Sequence, residues 1–402
     1  MSKIIKLIQT LHEKKIGSDF INKLYTMIHK KQDLNEETIN MENSDFVGEI
    51  TLNGPTYEEY VEYINTYYPN LTINVSEYYI MVEDPEMMRI LMLLNMSGDG
   101  IGLVQADFDK INSITSIFAQ FQNNENIVDT RVLSKFTNIK SNSQENWRWY
   151  DGPWCNCINL KYAAVPKVPD LYSLEKSTYG QPGYFEGCTK LEYVKFYTTS
   201  LTTLNYKAFM NCSNPNLIID LNNTNHITTI SDRVFIGCGF RDLEECIINY
   251  NFNELENIGG LGGNTNLEIF RIRSGIKSIE SGAFEGCTSL RTFIVDENGA
   301  DITLHGSSIY GPSGCTFYQT NIAVINWHKR VKQINGNSGG FTGNISTKMI
   351  FENETPPTAT DVPFRHFLGK IYVPDASLQD YKTAAGWSAS ADKIYGISQY
   401  TE

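Results

Sequence analysis

The chain has 402 residues, 41% of them hydrophobic and 20% charged, enough apolar material for a buried core and too little charge for a disordered polyelectrolyte. Its formal net charge of −13 excludes nucleic acid as the principal partner, because phosphate binding requires a basic face. The charge is uneven: residues 1–31 hold seven Lys and two acids, so a basic leader precedes an acidic body.

In chain order, residues 1–32 read as an amphipathic basic helical segment. Ile4, Ile8, Leu11, Phe20, Leu24 and Ile28 fall mostly three or four apart, with Gly17 and Ser18 as a break. This stripe is the candidate assembly helix, for docking or oligomerisation. A helix packed on its own domain is the plain alternative, and a membrane-surface helix ranks third. The segment lacks the apolar run and cleavage site of a signal peptide, and no stretch is long and apolar enough to span a bilayer. A product kept in the cytoplasm, or released by lysis or a non-classical route, is therefore expected.

Residues 33–130 read as a small α+β domain. Thr56-Tyr57-Glu58-Glu59 is a capping box ahead of a stripe of Tyr57, Tyr60, Tyr63, Ile64, Tyr67 and Tyr68, read as core before binding surface. Leu71, Ile73 and Val75, then Tyr79 and Met81, alternate as in strands. Asp84-Pro85-Glu86 opens another helix: Asp as cap, Pro in the first turn, Glu against the dipole. Asn95, Ser97, Asp99 and Gly100 match half of a calcium loop, but Ala106 stands where the bidentate Glu should be, so the segment reads as a turn before a helix around Asp107–Asn112.

Repeats dominate residues 131–369, with clear units over 184–295. Phe185-Glu186-Gly187-Cys188, Phe209-Met210-Asn211-Cys212, Phe235-Ile236-Gly237-Cys238 and Phe284-Glu285-Gly286-Cys287 align, with a degenerate unit at Leu261. The anchors 185, 209, 235, 261 and 284 are 24, 26, 26 and 23 residues apart. Each later anchor follows an apolar pair: Leu201 and Leu204, Ile227 and Ile230, Leu255 and Ile258, Ile276 and Ile279. Such a unit, one short strand and a turn, is too small to bury its own apolar side, so neighbours must stack. The repeated cysteines read as small buried apolar groups, not disulfides, and Cys155-x-Cys157 lacks the further ligands of a zinc site. Over 300–369 the coils degenerate, with Val331, Ile334, Phe341 and Ile350 as possible anchors, and 370–402 reads as a C-terminal cap.

At these residues the chain resembles the BspA-like leucine-rich repeat family. Ile276-Lys277-Ser278-Ile279 through Ala283-Phe284-Glu285-Gly286-Cys287-Thr288-Ser289-Leu290 is nearly a consensus unit, and Ile371 to Leu378, with Tyr381 and Trp387, looks like the family's closing segment. The resemblance covers about 160–295 and 370–390. It implies an α+β N-terminal region followed by a leucine-rich-repeat β-solenoid, and adhesion or protein recognition as the role. The family also occurs in phages of gut bacteria. With no leader in view, a virion appendage such as a tail or capsid fibre is the first expectation; a leaderless cytoplasmic or cell-surface recognition module is the second, and an enzyme in the N-terminal domain the third.

Strand alternation nominates a binding face: Tyr193, Lys195 and Tyr197; Ile218 and Asp220; Glu245, Ile247 and Asn249; Ile269, Arg271 and Arg273; Thr292, Ile294 and Asp296. The partners expected there are proteins or surface glycans, within a homo-oligomer or larger assembly. A merely solvated face is the plain alternative. No catalytic or metal-binding residue is nominated and no cofactor is expected: the six His are scattered, and the glycines at 259–263 lie at a repeat turn.

Overall fold

The computed structural model describes residues 48–52, 58–67, 69–75, 77–78, 80–94, 96, 103–110, 121–136, 153–167, 183–198, 200–205, 207–221, 227–231, 233–306, 315–336, 347–360, 362–364 and 367–401. The candidate assembly helix, the half calcium loop and Phe341 lie outside these residues, as do the side chains of the tyrosine stripe. The chain divides into two compact units, one of 1–83 with 91–111 and one of 84–90 with 112–402.

In the first unit, β1 (Gly48–Leu52) and β2 (Leu71–Val75) pair in parallel, joined through helix α1 (Glu58–Tyr67). Parallel neighbours need such a crossover, which is why the helical stripe sits between two strand patterns. Ile80 bridges Leu103 in antiparallel fashion. Helix α3 (Gln105–Asp109) begins two residues before the position read from sequence, and Asp107 Oδ2 accepts from the Val104 N–H at 3.0 Å.

Helix α2 (Pro85–Leu93) starts as its sequence dictates. Buried Asp84 accepts from the N–H groups of Glu86 and Met87 at 2.8 and 2.9 Å through Oδ1. Its Oδ2 accepts from Val128 and Asp129 at 2.6 and 2.7 Å, so one carboxylate caps the helix and clips the first coil of the second unit.

The second unit is a solenoid. Its strands form two parallel rows, not the single row read from sequence. The first row contains β3 (Tyr162–Val165), β4 (Tyr193–Phe196), β6 (Ile218–Asp220) and β8 (Ile247–Ile248), then β10 (Ile269–Ile272) and β12 (Thr292–Val295), then β14 (Val324–Asn326), β16 (Lys348–Ile350), β18 (Lys370–Val373) and β19 (Ile394–Gly396). The second row has seven strands: β5 (Thr203–Leu204), β7 (Thr229–Ile230), β9 (Asn257–Ile258), β11 (Ser278–Ile279), β13 (Ile302–His305), β15 (Val331–Asn335) and β17 (Thr358–Ala359). The second residue of each apolar pair supplies the inward position of this row: Leu204, Ile230, Ile258 and Ile279 are all buried.

A third side is the turn that carries the Phe-x-x-Cys motif. Here coils join through backbone bonds such as Phe185 N–H to Ala208 O (2.8 Å), Phe209 N–H to Val234 O (3.0 Å) and Phe235 N–H to Gly260 O (2.8 Å). The residue before Cys adopts a left-handed conformation in every coil, with φ of 55° at Asn156, 77° at Gly187, 60° at Asn211, 69° at Gly237 and 73° at Gly286. Only Gly and Asn visit that region at low cost. A Cβ at Gly187 would also stand 2.4 Å from Asn156 Oδ1 of the preceding coil.

Inside, the aromatic anchors stack. Trp154, Phe185, Phe209 and Phe235 follow one another with centroids 4.8, 5.2 and 5.6 Å apart and planes within 15°, close to the strand spacing of a sheet. Phe121 precedes Trp154 and Phe317 follows Phe284, so the motif extends beyond the units read from sequence in both directions. Each motif thiol donates to the anchor carbonyl of the preceding coil: Cys157 to Phe121 O, Cys188 to Trp154 O, Cys212 to Phe185 O, Cys238 to Phe209 O and Cys287 to Leu261 O, at 2.9 to 3.2 Å. All eight cysteines are buried thiols outside any disulfide. Cys155-x-Cys157 is thereby accounted for as the start of this column, with Trp154 in the place of Phe.

The degenerate stretch keeps the plan: Val331 and Ile334 are buried on β15, and Ile350 on β16. Arg330, only 3% exposed, sends its guanidinium inward to the carbonyl oxygens of Ala300, Arg273, Asp296, Ser274 and Ile276 at 3.0 to 3.3 Å. Burial depresses its pKa against the opposing pull of the Asp296 and Asp301 charges. At the C-terminal end, Tyr381 O–H donates to Asn353 O at 3.1 Å and Trp387 Nε1–H to Pro357 O at 2.8 Å, which seats helix α5 (Leu378–Thr383) on the last coil.

Candidate functional site

The outward side of the first strand row is the face nominated from sequence. On β4 the burial alternates as expected: Val194 and Phe196 are inside, while Tyr193, Lys195 and the following Tyr197 are half-buried outside. On β10 and β12, Phe270, Ile272, Phe293 and Val295 are inside; Ile269, Arg271, Arg273, Thr292 and Asp296 are half-exposed, and Ile294 is 41% exposed.

The expectation fails at β8. Asp242 accepts from the Glu244 N–H through Oδ1 at 3.0 Å and starts one helical turn, α4 (Leu243–Cys246). Leaving that turn, the chain enters the row with Ile247 opposite Ile219, on the inward side, and Ile247 is buried. Ile248 takes the outward place. Glu245 is exposed but rides the helical turn, not a strand, and Asn249 is exposed with a φ of 57°. Ile218 and Asp220 do pair with outward Tyr193 and Lys195, yet Asp220 is only 3% exposed because its neighbours cover it.

That cover is a polar cluster spanning three coils. Asp220 accepts from the Tyr193 hydroxyl at 2.7 Å and from Asn249 Nδ2 at 2.8 Å, and pairs with Lys195 Nζ at 3.4 Å. Burial, with the Asp220 hydrogen bond, pushes the Tyr193 phenol above its ordinary range. One coil earlier, Glu192 accepts from the Tyr162 hydroxyl at 2.8 Å and pairs with Lys161 at 3.1 Å, which holds its carboxyl below the usual range. The Arg131 guanidinium lies 4.7 Å from the centre of the Tyr162 ring. Tyr162 is therefore braced at both hydroxyl and face, Tyr193 at its hydroxyl, and Tyr197 at its face by Lys195, 5.5 Å from the ring centre.

The next half is built from arginine. Arg271 pairs with Asp242 at 2.5 Å, and Arg273 binds Glu244 through Nε and Nη2 at 2.7 and 2.5 Å, a two-pronged contact. Glu268 receives both Arg241 (2.7 Å) and Arg291. These acids went unnominated, although a partial signal existed: the residues just before β3, β4, β10 and β12 are Lys161, Glu192, Glu268 and Arg291, opposite in sign within each neighbouring pair. Asp242, Glu244, Arg271 and Arg273 frame a shallow recess whose lining includes Phe252, Leu255 and Phe270. Among the described residues no group of three His, Cys, Asp or Glu is placed to hold a metal. The face offers rigid rings, ion pairs and apolar strip residues to a partner surface.

Residues 154–291 and 261–355 match, in six copies, the family described as BspA type leucine rich repeat region. Two solved structures are similar. One is a leucine-rich repeat protein from Bacteroides ovatus (16% identity, TM-score 0.40, 70% of this chain and 66% of that one). The other is a leucine rich cell surface protein from Faecalibacterium prausnitzii (14% identity, TM-score 0.29, 56% of this chain and 58% of that one). The chain thus spans less than two thirds of either. A comparison with curated proteins returned no match.

Proposed function

This chain belongs to the BspA-type leucine-rich repeat family, and from that premise we propose that it is a non-enzymatic binding protein whose outward strand face, from β4 to β12, receives a partner protein. The observation that carries the reading is Ile294, 41% exposed on a mid-solenoid strand and set beside Ile269, Thr292 and the arginine pairs. An aliphatic strip framed by arginine and tyrosine is the composition of an interface centre. The finer reading, a virion appendage, rests on the family's occurrence in phages. Two measurements test the proposal. Partners captured from the native source by the full chain are compared with those captured by Ile294→Asp; unchanged capture by a folded variant sinks the assignment of the face. Mass spectrometry of gradient-purified particles decides the appendage reading, which fails where the chain is absent from particles.

A further inference from the structure

Cations on the first strand row are almost all matched to carboxylates: Lys161 to Glu192, Lys195 to Asp220, Arg271 to Asp242, Arg273 to Glu244, Arg241 and Arg291 to Glu268. The C-terminal end of the row breaks this rule. Lys348 on β16 and Lys370 on β18 stand directly opposite each other in register. Like charges at directly opposed positions destabilise a sheet. Among the described residues neither ammonium has a carboxylate partner. Lys348 Nζ donates to the Thr401 carbonyl and lies 4.9 Å from the centre of the Tyr400 ring; Lys370 Nζ lies 5.3 Å from that of Tyr395. Tyr372 packs between the two rings, 5.1 Å from Tyr400 and 6.0 Å from Tyr395. On a chain of net charge −13, this is a positive spot walled by aromatic rings, with no carboxylate paired to either lysine among the described residues.

We propose that Lys348, Lys370, Tyr395 and Tyr400 form a binding site for a carboxylated saccharide, deepening the reading of this protein as a binding module. The paired ammoniums supply the charge that one carboxylate bridges. Each lysine is a point charge on a flexible stem with rotatable donors, so both ammoniums can turn toward one carboxylate. Half-exposed tyrosines supply apolar faces with polar tips, on which the C–H face of a pyranose stacks while its hydroxyls meet the phenols. An acidic peptide is less well served: Ile350 and Tyr372, two residues beyond the lysines on the same strands, are 9% and 2% exposed, so apart from the tyrosine rings the floor presents little apolar area for a side-chain anchor.

The test is calorimetric titration of the full chain with a short oligogalacturonate, its methyl ester, poly-glutamate and oligothymidylate. The expected result is binding of the oligogalacturonate alone, weakening with added salt and falling about tenfold in each of Lys348→Gln and Lys370→Gln. Tyr400→Ala weakens it as well, and all variants melt as the parent does. Absence of binding overturns the proposal. So does binding that survives the double lysine variant, or equal affinity for poly-glutamate or oligothymidylate. Ile294→Asp separates this site from the protein-binding face: retained saccharide binding in that variant is expected whether or not partner capture depends on Ile294, and its loss overturns the location proposed here.

Discussion

The coils anchored by Phe185, Phe209 and Phe235 and the coil anchored by Leu261 follow one backbone plan with different interiors. In the first group, rings stack within 15° of parallel and each Cys thiol reaches back to the previous anchor. At the coil anchored by Leu261 the ring is gone, and Asn264 occupies the cysteine place, fully buried with neither side-chain atom hydrogen-bonded among the described residues. Yet the coil-to-coil bonds run on unbroken: Leu261 N–H to Ala283 O at 3.1 Å and Gly263 N–H to Glu285 O at 2.6 Å. The left-handed turn also persists, with Gly263 at φ 71°. The backbone ladder and its turn thus set the geometry of the solenoid, while the side-chain column supplies stability coil by coil, as nearest-neighbour coupling in a repeat array requires.

The comparison is broken most severely by emptying a good coil. Phe209→Ala removes a ring stacked on both sides and is expected to cost about 3–5 kcal/mol in a urea melt. Leu261→Ala removes fewer contacts, and a cost equal to that of Phe209→Ala would show that the aromatic column has no special part. Next comes Arg330, which serves coils just beyond the fault by collecting carbonyls from residues 273–276 and 296–300. Arg330→Met fills similar volume but abandons those oxygens, and a loss of about 3 kcal/mol is expected. A neutral outcome would mean that the carbonyls find other donors.

The same contrast explains what the sequence disclosed. Phe-x-x-Cys and the apolar pairs were legible because each recurs once per coil at spacings of 23 to 26. Trp154 and Phe317 escaped because their spacings to the next or previous anchor are 31 and 33, with Trp in the place of Phe at one and Thr320 in the place of Cys at the other. The second strand row was invisible because strands such as Thr203–Leu204 are two residues long, too short for alternation to register. On the nominated face, alternation assigned inward and outward positions of β4, β10 and β12 as the burial shows them, since each is a four-residue strand with no interruption. It misplaced Ile247 because the cap at Asp242 inserts a helical turn, and a one-residue shift moves every side chain to the opposite face.

A smaller change sharpens the comparison by repairing the fault. Asn264→Cys restores the consensus thiol, aimed at the Phe235 carbonyl, and removes a buried amide that has no partner. A gain of about 1–2 kcal/mol is expected. Hydrogen exchange localises it: amides of residues 259–264 exchange faster than those of 207–212 in the parent chain and slow toward them in the variant. Unaltered exchange there would show that the amide already has its hydrogen bonds satisfied.

The finest probe is the thiol column itself. Burial pushes Cys157 and Cys287 up to about 12 and raises Cys188, Cys212 and Cys238 well above the ordinary thiol range, so the reactive thiolate forms only in opened coils. The folded values lie above the unfolded one of about 8.5. The thiols' contribution to stability is therefore whole below that pH and declines as pH rises through the interval toward 12, because the unfolded chain loses the protons first. At neutral pH, labelling by a disulfide reagent then measures opening. Cys287 donates to the carbonyl of Leu261 at 3.2 Å, whereas Cys212 belongs to a coil whose anchor, Phe209, is stacked on both sides and donates to Phe185 O at 3.1 Å. Since the thiol bonds are nearly equal, any difference in rate belongs to the column. Faster labelling of Cys287 than of Cys212 is expected, by a few-fold, with the gap closing in Asn264→Cys. Equal rates would mean that the solenoid opens as one cooperative body and that its weak coil is weak in composition only.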